Sequence, residues 1–170
     1  IAGITHTHLL AQMKSSGDSD KWNRIYANGE HGKLEAAKVL RENTHLLPST
    51  GKALDLACGL GANALLLAQH GLETCAWDIS QTALDKLHAR ALKLNVLIQV
   101  ESRDVSDSPP SENSFDVIVV SHFLERSLMP KIITALRDNG LIYYQTFTQE
   151  KTTDSGPGNP DYLLVRNELL

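Results

Sequence analysis

The chain has 170 residues, 42% of them hydrophobic and 21% charged, with a net charge of -4; it can bury one core, and no global field gathers nucleic acid or an anionic membrane surface. Cys58 and Cys75 are the only cysteines and form no C-x-x-C pair, which argues against a zinc site or a disulfide scaffold and fits a reducing cytoplasm. No stretch has the length of a membrane helix, and the start lacks a basic-then-apolar leader pattern, so a cytoplasmic protein is expected.

Residues 1–20 have no sustained period, and 15–20 (SSGDSD) is linker-like, so a flexible segment is expected before one domain over 21–170. His6 and His8 form H-x-H without further ligands nearby, and no metal site is expected. Trp22 and Tyr26 share one helical face. Residues 33–43 place Leu34, Ala37 and Leu40 on one face, which predicts a helix, and 48–51 turn into the first strand.

The most informative stretch is 52–78, KALDLACGLGANALLLAQHGLETCAWD. Residues 53–57 read as a buried strand interrupted by Asp55, and Gly59 and Gly61 break the pattern and let a ligand approach the backbone. Residues 62–70 read as a helix stopped by Gly71, and 73–77 as a second strand ending at Asp78. In a parallel pair both strand tips share one edge, so the glycine turn and Asp78 meet at a ligand crevice. Gly59, Gly61 and Ala64 satisfy the dinucleotide pattern G-x-G-x-x-G/A, which several nucleotide cofactors share. Asp55 and Asn63 tilt the pattern away from NAD: an acid inside that strand can face an ammonium or sulfonium group, and Asn63 stands where a pyrophosphate favours small backbone donors.

Ser80 can cap a helix running to about residue 94, with Leu84, Leu87, Ala91 and Leu94 as its buried stripe. Lys86, Arg90 and Lys93 on that helix read as a solvated face. Residues 96–103 form a third expected strand, which ends at Asp104 and Val105. Residues 115–120 (FDVIVV) form a fourth, ending at Ser121 and His122. His122 is the single candidate for a base near neutral pH. Residues 128–138 have helical spacing, Asn139-Gly140 make a turn, and 141–147 form a fifth strand. Residues 152–160 (TTDSGPGNP) suggest a connection or lid.

Residues 55–63, D-L-A-C-G-L-G-A-N, resemble motif I of the class I S-adenosylmethionine-dependent methyltransferases, and 136–147 resemble the L-R-P-G-G segment of that family with Asp138 and Asn139 substituted. Together with Q-T-F-T and residues 159–170, the pattern is similar to the tellurite-resistance (TehB-type) and thiopurine-type small-molecule branch. The resemblance implies an α/β fold: a doubly wound, mostly parallel Rossmann-like sheet in order 3-2-1-4-5 with helices on both faces, here without the last two strands of the full fold. The chain then either is truncated or leaves its fifth strand as an open edge that a second copy could pair.

The resemblance further implies S-adenosylmethionine as cofactor, S-adenosylhomocysteine as product, and a small-molecule acceptor such as a thiol or metalloid oxyanion. Its cofactor-binding positions fall on Asp55, Ala57, Cys58, Gly59, Gly61, Asn63, Asp78, Ile79, Asp104, Val105, Ser121, His122 and Tyr26. In that scheme Asp55 balances the cofactor's positive charge, Asp78 takes the ribose hydroxyls, Asp104 and Val105 hold adenine, Ser121 and His122 lie beside the reacting methyl, and Tyr26 caps the bound molecule. The competing readings are a non-catalytic nucleotide-binding or assembly module and an NAD-dependent oxidoreductase.

Overall fold

The computed structural model describes residues 6–29, 34–150 and 156–169. Five strands, β1 (Lys52–Leu56), β2 (Glu73–Asp78), β3 (Ile98–Ser102), β4 (Phe115–Ser121) and β5 (Leu136–Gln145), pair parallel in the order β3-β2-β1-β4-β5. The expected sheet order is therefore the observed one. Alternation along each strand divides the core between two faces. Leu54, Leu56, Trp77, Ile118 and Val120 pack with Leu128 and Ile132 of the segment leading into and forming α5 (Met129–Ala135). On the other face Ala53, Val117 and Val119 meet Leu40 of α2 (Lys38–Glu42) and Leu67 of α3 (Ala62–His70), and Ala76 meets Leu84 and Leu87 of α4 (Gln81–Leu94).

The termini of α3 and α4 follow from local chemistry. Gly61 and Gly71 flank α3 in left-handed conformations, and the Gly71 amide donates to Ala68, the C-terminal stop that the sequence suggests. Ser80 Oγ accepts the Ala83 amide at 3.2 Å as the N-cap of α4. Of the predicted stripe, Leu84, Leu87 and Ala91 are buried, whereas Leu94 is exposed where the helix ends.

Three elements depart from expectation. A helix α1 (His6–Asn28) runs through the linker-like residues 15–20 and carries His6 and His8. It has no strong apolar stripe and is held by polar contacts with the start of α4: Ser19 Oγ donates to Ile79 O (3.1 Å), and Asn23 Oδ1 accepts from Ser80 Oγ (2.8 Å) and the Thr82 amide (3.1 Å). The helix predicted over 33–43 is confined to α2 and a following single turn, because its start is capped from elsewhere. The Ala37 amide donates to Asn63 Oδ1 (2.8 Å) and the Val39 amide to Gln145 Oε1 (3.1 Å). Strand β5 begins at Leu136, and the expected Asn139-Gly140 turn is a bulge within it, since the register passes from Phe115↔Leu136 to Val117↔Leu141. Residues 152–155 of the predicted lid lie outside the described residues. No described helix is long and apolar enough to cross a membrane.

Gly61 and Gly71 differ in what surrounds them. A Cβ on Gly61 (φ 75°) would overlap both methyls of Leu87, whereas nothing lies within 4 Å of one on Gly71 (φ 101°). Gly61→Ala should therefore cost roughly 2–5 kcal/mol in denaturant unfolding, and Gly71→Ala only about 1–2 kcal/mol, for the backbone alone. Equal losses in the two variants would remove the packing argument.

Candidate functional site at the strand tips

At the end of β1 the chain turns sharply through left-handed Ala57 (φ 54°), Gly59 (φ 51°) and Gly61 (φ 75°) into α3. Asp55 fixes this turn from below. Its side chain is fully buried and accepts the Ala64 amide at 3.0 Å and Asn63 Nδ2 at 3.2 Å, so one carboxylate satisfies the first turn of α3, where the helix dipole also favours negative charge. Burial pushes its pKa up to about 7, and the bonds from Asn63 and Ala64 restrain the rise. The carboxylate thus faces α3 and Asn63.

Asp78, at the tip of β2, is also buried. Its Oδ2 accepts the Gly59 amide at 2.7 Å and its Oδ1 the Ser80 amide at 2.8 Å, which joins the two strand tips through one side chain. Desolvation raises its pKa, and these amide bonds oppose the rise. The Ile79 amide adds to this restraint, and a carboxylate has about four lone-pair sites, so acceptor capacity remains on Asp78. Ile79 offers its carbonyl to Ser19 of α1. The Tyr26 phenol, brought by α1, rests over the glycine turn, where a Cβ on Gly59 would lie 2.5 Å from Tyr26 Oη. Burial is the main cause that raises the tyrosine's pKa, and Asp78 and Asp55 add to it. Burial likewise raises the Cys58 thiol well above its ordinary value, so both groups are neutral at pH 7.

The strand β4 brings Ser121 and His122 to the same edge. Ser121 Oγ accepts Asn63 Nδ2 at 3.0 Å. His122 is left-handed (φ 56°), donates its amide to Gln145 O at 2.8 Å and packs its exposed ring on Phe147 at 5.0 Å. Partial desolvation lowers its pKa, so its imidazole is neutral at pH 7. At the β3 tip, Asp104 Oδ1 accepts the Ser106 amide at 3.0 Å, a local turn contact, and Val105 is buried. Parallel pairing puts Asp55, Asp78 and Asp104 at one edge, with the Arg103 amide bonded to Asp78 O (2.9 Å).

Sequence reasoning passed over Ser19, Asn23 and Gln145, which fasten α1 and α2 to these tips. Their only signal is position: Asn23 lies between the two singled-out aromatics, and Gln145 ends a strand on the site edge. A separate surface groove of about 620 Å³, bounded by Leu34, Arg41, Leu65, Arg90 and Lys93, includes none of the predicted site residues. Among the described residues no His, Cys, Asp or Glu cluster suits a metal ion.

A parallel sheet in this order, with a tight glycine turn beside a buried acid at the strand tips, defines a doubly wound domain, a class whose ligand crevice lies at that edge. The chain belongs to the methyltransferase domain family, whose model matches residues 53–140. It is 29% identical over 143 residues to the probable S-adenosyl-L-methionine-dependent methyltransferase TehB of Haemophilus influenzae, a match covering 82% of this chain and 46% of that protein. The chain thus spans about half the length of that relative. Among solved structures, TehB from Haemophilus influenzae superposes with a TM-score of 0.59 at 24% identity, over 89% of this chain and 52% of the other. Phosphoethanolamine N-methyltransferase 1 of Haemonchus contortus, solved with phosphoethanolamine and S-adenosylhomocysteine, superposes with a TM-score of 0.68 at 17% identity, over 93% and 39% of the two chains. Both likenesses are of fold.

The Asp55 carboxyl leads to a pH dependence of known sign. Its pKa is near the ordinary 3.8 when unfolded and about 7 when folded. Between these values the folded state holds a proton that the unfolded state has released, so this group's contribution to stability falls as pH rises from about 4 to 7 and is constant above. The slope for one proton is at most about 1.4 kcal/mol per pH unit. Relative to Asp55→Asn, the native chain should lose stability across that window in urea titrations. Parallel pH profiles would show that Asp55 titrates alike in both states.

Proposed function

We propose that the domain binds S-adenosylmethionine at the strand-tip edge and transfers its methyl group to a small nucleophile such as a thiol or metalloid oxyanion. Bound there, the cofactor supplies a methyl already activated on sulfonium, which passes to the acceptor by in-line displacement and leaves S-adenosylhomocysteine. The observation that carries the reading is the Asp78 carboxylate, held at the strand tip by the Gly59 and Ser80 amides at 2.7 and 2.8 Å, where it can still accept from a ribose hydroxyl. The sequence expectation that both glycines open the backbone to a ligand is corrected by their surroundings: the space beside Gly59 is taken by Tyr26 and that beside Gly61 by Leu87, so the glycines serve the tight packing and positive φ of the turn. Tyr26 covers the turn beside Gly59 and is assigned to cap the bound cofactor. Asp104 and Val105, one step beyond the β3 tip, are assigned to adenine. Ser121 and His122 are assigned to the acceptor side. His122, neutral at pH 7 because desolvation lowers its pKa, can take a proton from an acceptor that carries one; a thiolate or oxyanion needs no base. The chain's main contribution is alignment, an effect worth up to ~7–11 kcal/mol in well-oriented reactions.

S-adenosylhomocysteine at about a hundredfold excess over its Kd should raise the Tm by roughly 5–10 °C, and NAD should leave it unchanged. Asp78→Ala should weaken S-adenosylhomocysteine binding at least tenfold by calorimetry, measured alongside its own unfolding curve. A shift with NAD alone would favour the oxidoreductase reading. Unchanged affinity in Asp78→Ala would remove the ribose assignment.

A further inference from the structure

Asn63 uses its side chain in three directions at once. Its Nδ2 donates to Asp55 Oδ1 (3.2 Å) and Ser121 Oγ (3.0 Å), and its Oδ1 accepts the Ala37 amide (2.8 Å). The residue is 3% exposed, and its partners come from β1, β4 and the segment entering α2, so a lost bond leaves a polar group of Asn63 buried and unmatched. An asparagine is required by the chemistry of the junction. Aspartate would keep the acceptor for Ala37 but lose both donors, and alanine would lose all three bonds.

We propose that Asn63 is a positioning residue: it aims the Asp55 carboxyl beneath the glycine turn, sets the direction of the Ser121 hydroxyl, and anchors the segment entering α2. With Nδ2 seated on Ser121 Oγ, the serine's own hydrogen is directed away from Asn63 and toward another acceptor. With Oδ1 on the Ala37 amide, the α2 segment is registered to the same residue that registers the carboxylate. A ligand ammonium near the turn therefore meets a carboxyl whose aim and ease of ionisation depend on Asn63, and this part of the inference rests on the proposed adenosyl binding.

The other titratable groups facing Asp55 are Asp78 from β2, Cys58 from the turn and Tyr26 from α1. Cys58 and Tyr26 are neutral at pH 7 and do not change charge below it, since burial raises both. The charge of Asp78 opposes ionisation of Asp55. Loss of the Asn63 donor removes a bond that lowers the Asp55 pKa, so the midpoint must move upward.

The test has two independent arms. In the first, S-adenosylhomocysteine affinity is measured from pH 5.5 to 9 for the native chain, Asn63→Ala, Asn63→Asp and Asp55→Asn. The midpoint should shift to higher pH in both Asn63 variants, with affinity at pH 7 reduced about tenfold or more, and it should vanish in Asp55→Asn. In the second arm, which needs no ligand, urea stability is followed across the same range. The decline assigned to Asp55 should extend to higher pH in both Asn63 variants, and hydrogen exchange at the Ala37 amide should accelerate in Asn63→Ala but not in Asn63→Asp.

Should Asn63→Ala fail to fold, Asn63→Ser, whose hydroxyl can still donate, should retain an intermediate midpoint in both arms. Native pH profiles in folded Asn63 variants would overturn the proposal. A native chain that binds no S-adenosylhomocysteine would instead refute the proposed function, and the second arm would still decide the role of Asn63.

Discussion

A carboxylate buried at the end of β1 is the constraint on which the site depends. A desolvated charge costs several kcal/mol unless it is bonded, and Asp55 meets that requirement with the Ala64 amide in the first turn of α3 and the Asn63 side chain. To reach them the backbone must leave β1 through a tight turn, and that turn adopts positive φ at Ala57, Gly59 and Gly61. One charge thereby determines where α3 begins, how close the turn lies to the sheet, and which backbone amides face the ligand edge. The Gly59 amide, placed in this way, is the donor that holds Asp78.

Around this centre the chain arranges its less regular parts by side-chain bonds. Helix α1 lacks an apolar stripe and would be marginal alone, yet Ser19 and Asn23 tie it to the β2–α4 connection and carry Tyr26 over Gly59. The short α2 begins where Asn63 and Gln145 cap it, one from each side of the β1–β4 boundary. The Asx turn at Asp104, the amide bond from Arg103 to Asp78 and the β4 tip complete an edge in which each strand contributes one polar position. The arrangement suits a cofactor that brings its own reactivity, since the protein then has to orient and desolvate rather than perform acid–base work.

The sequence alone determined the buried strands β1, β2 and β4, the helices α3 and α4 with their glycine and serine ends, and the polar groups at strand tips. Each of these depends on contacts between neighbours in the chain or on residue types that are costly anywhere else, such as an acid in an apolar strand or glycine at positive φ. Only the tertiary structure decided the extent of α1, the start of α2, the bulge that lengthens β5 and the inward aim of Asp55. These features rest on bonds such as Val39 to Gln145 and Ser80 to Asn23, whose partners are far apart in sequence. No local period records such a bond, because its energy exists only once the sheet has brought both ends to the same edge.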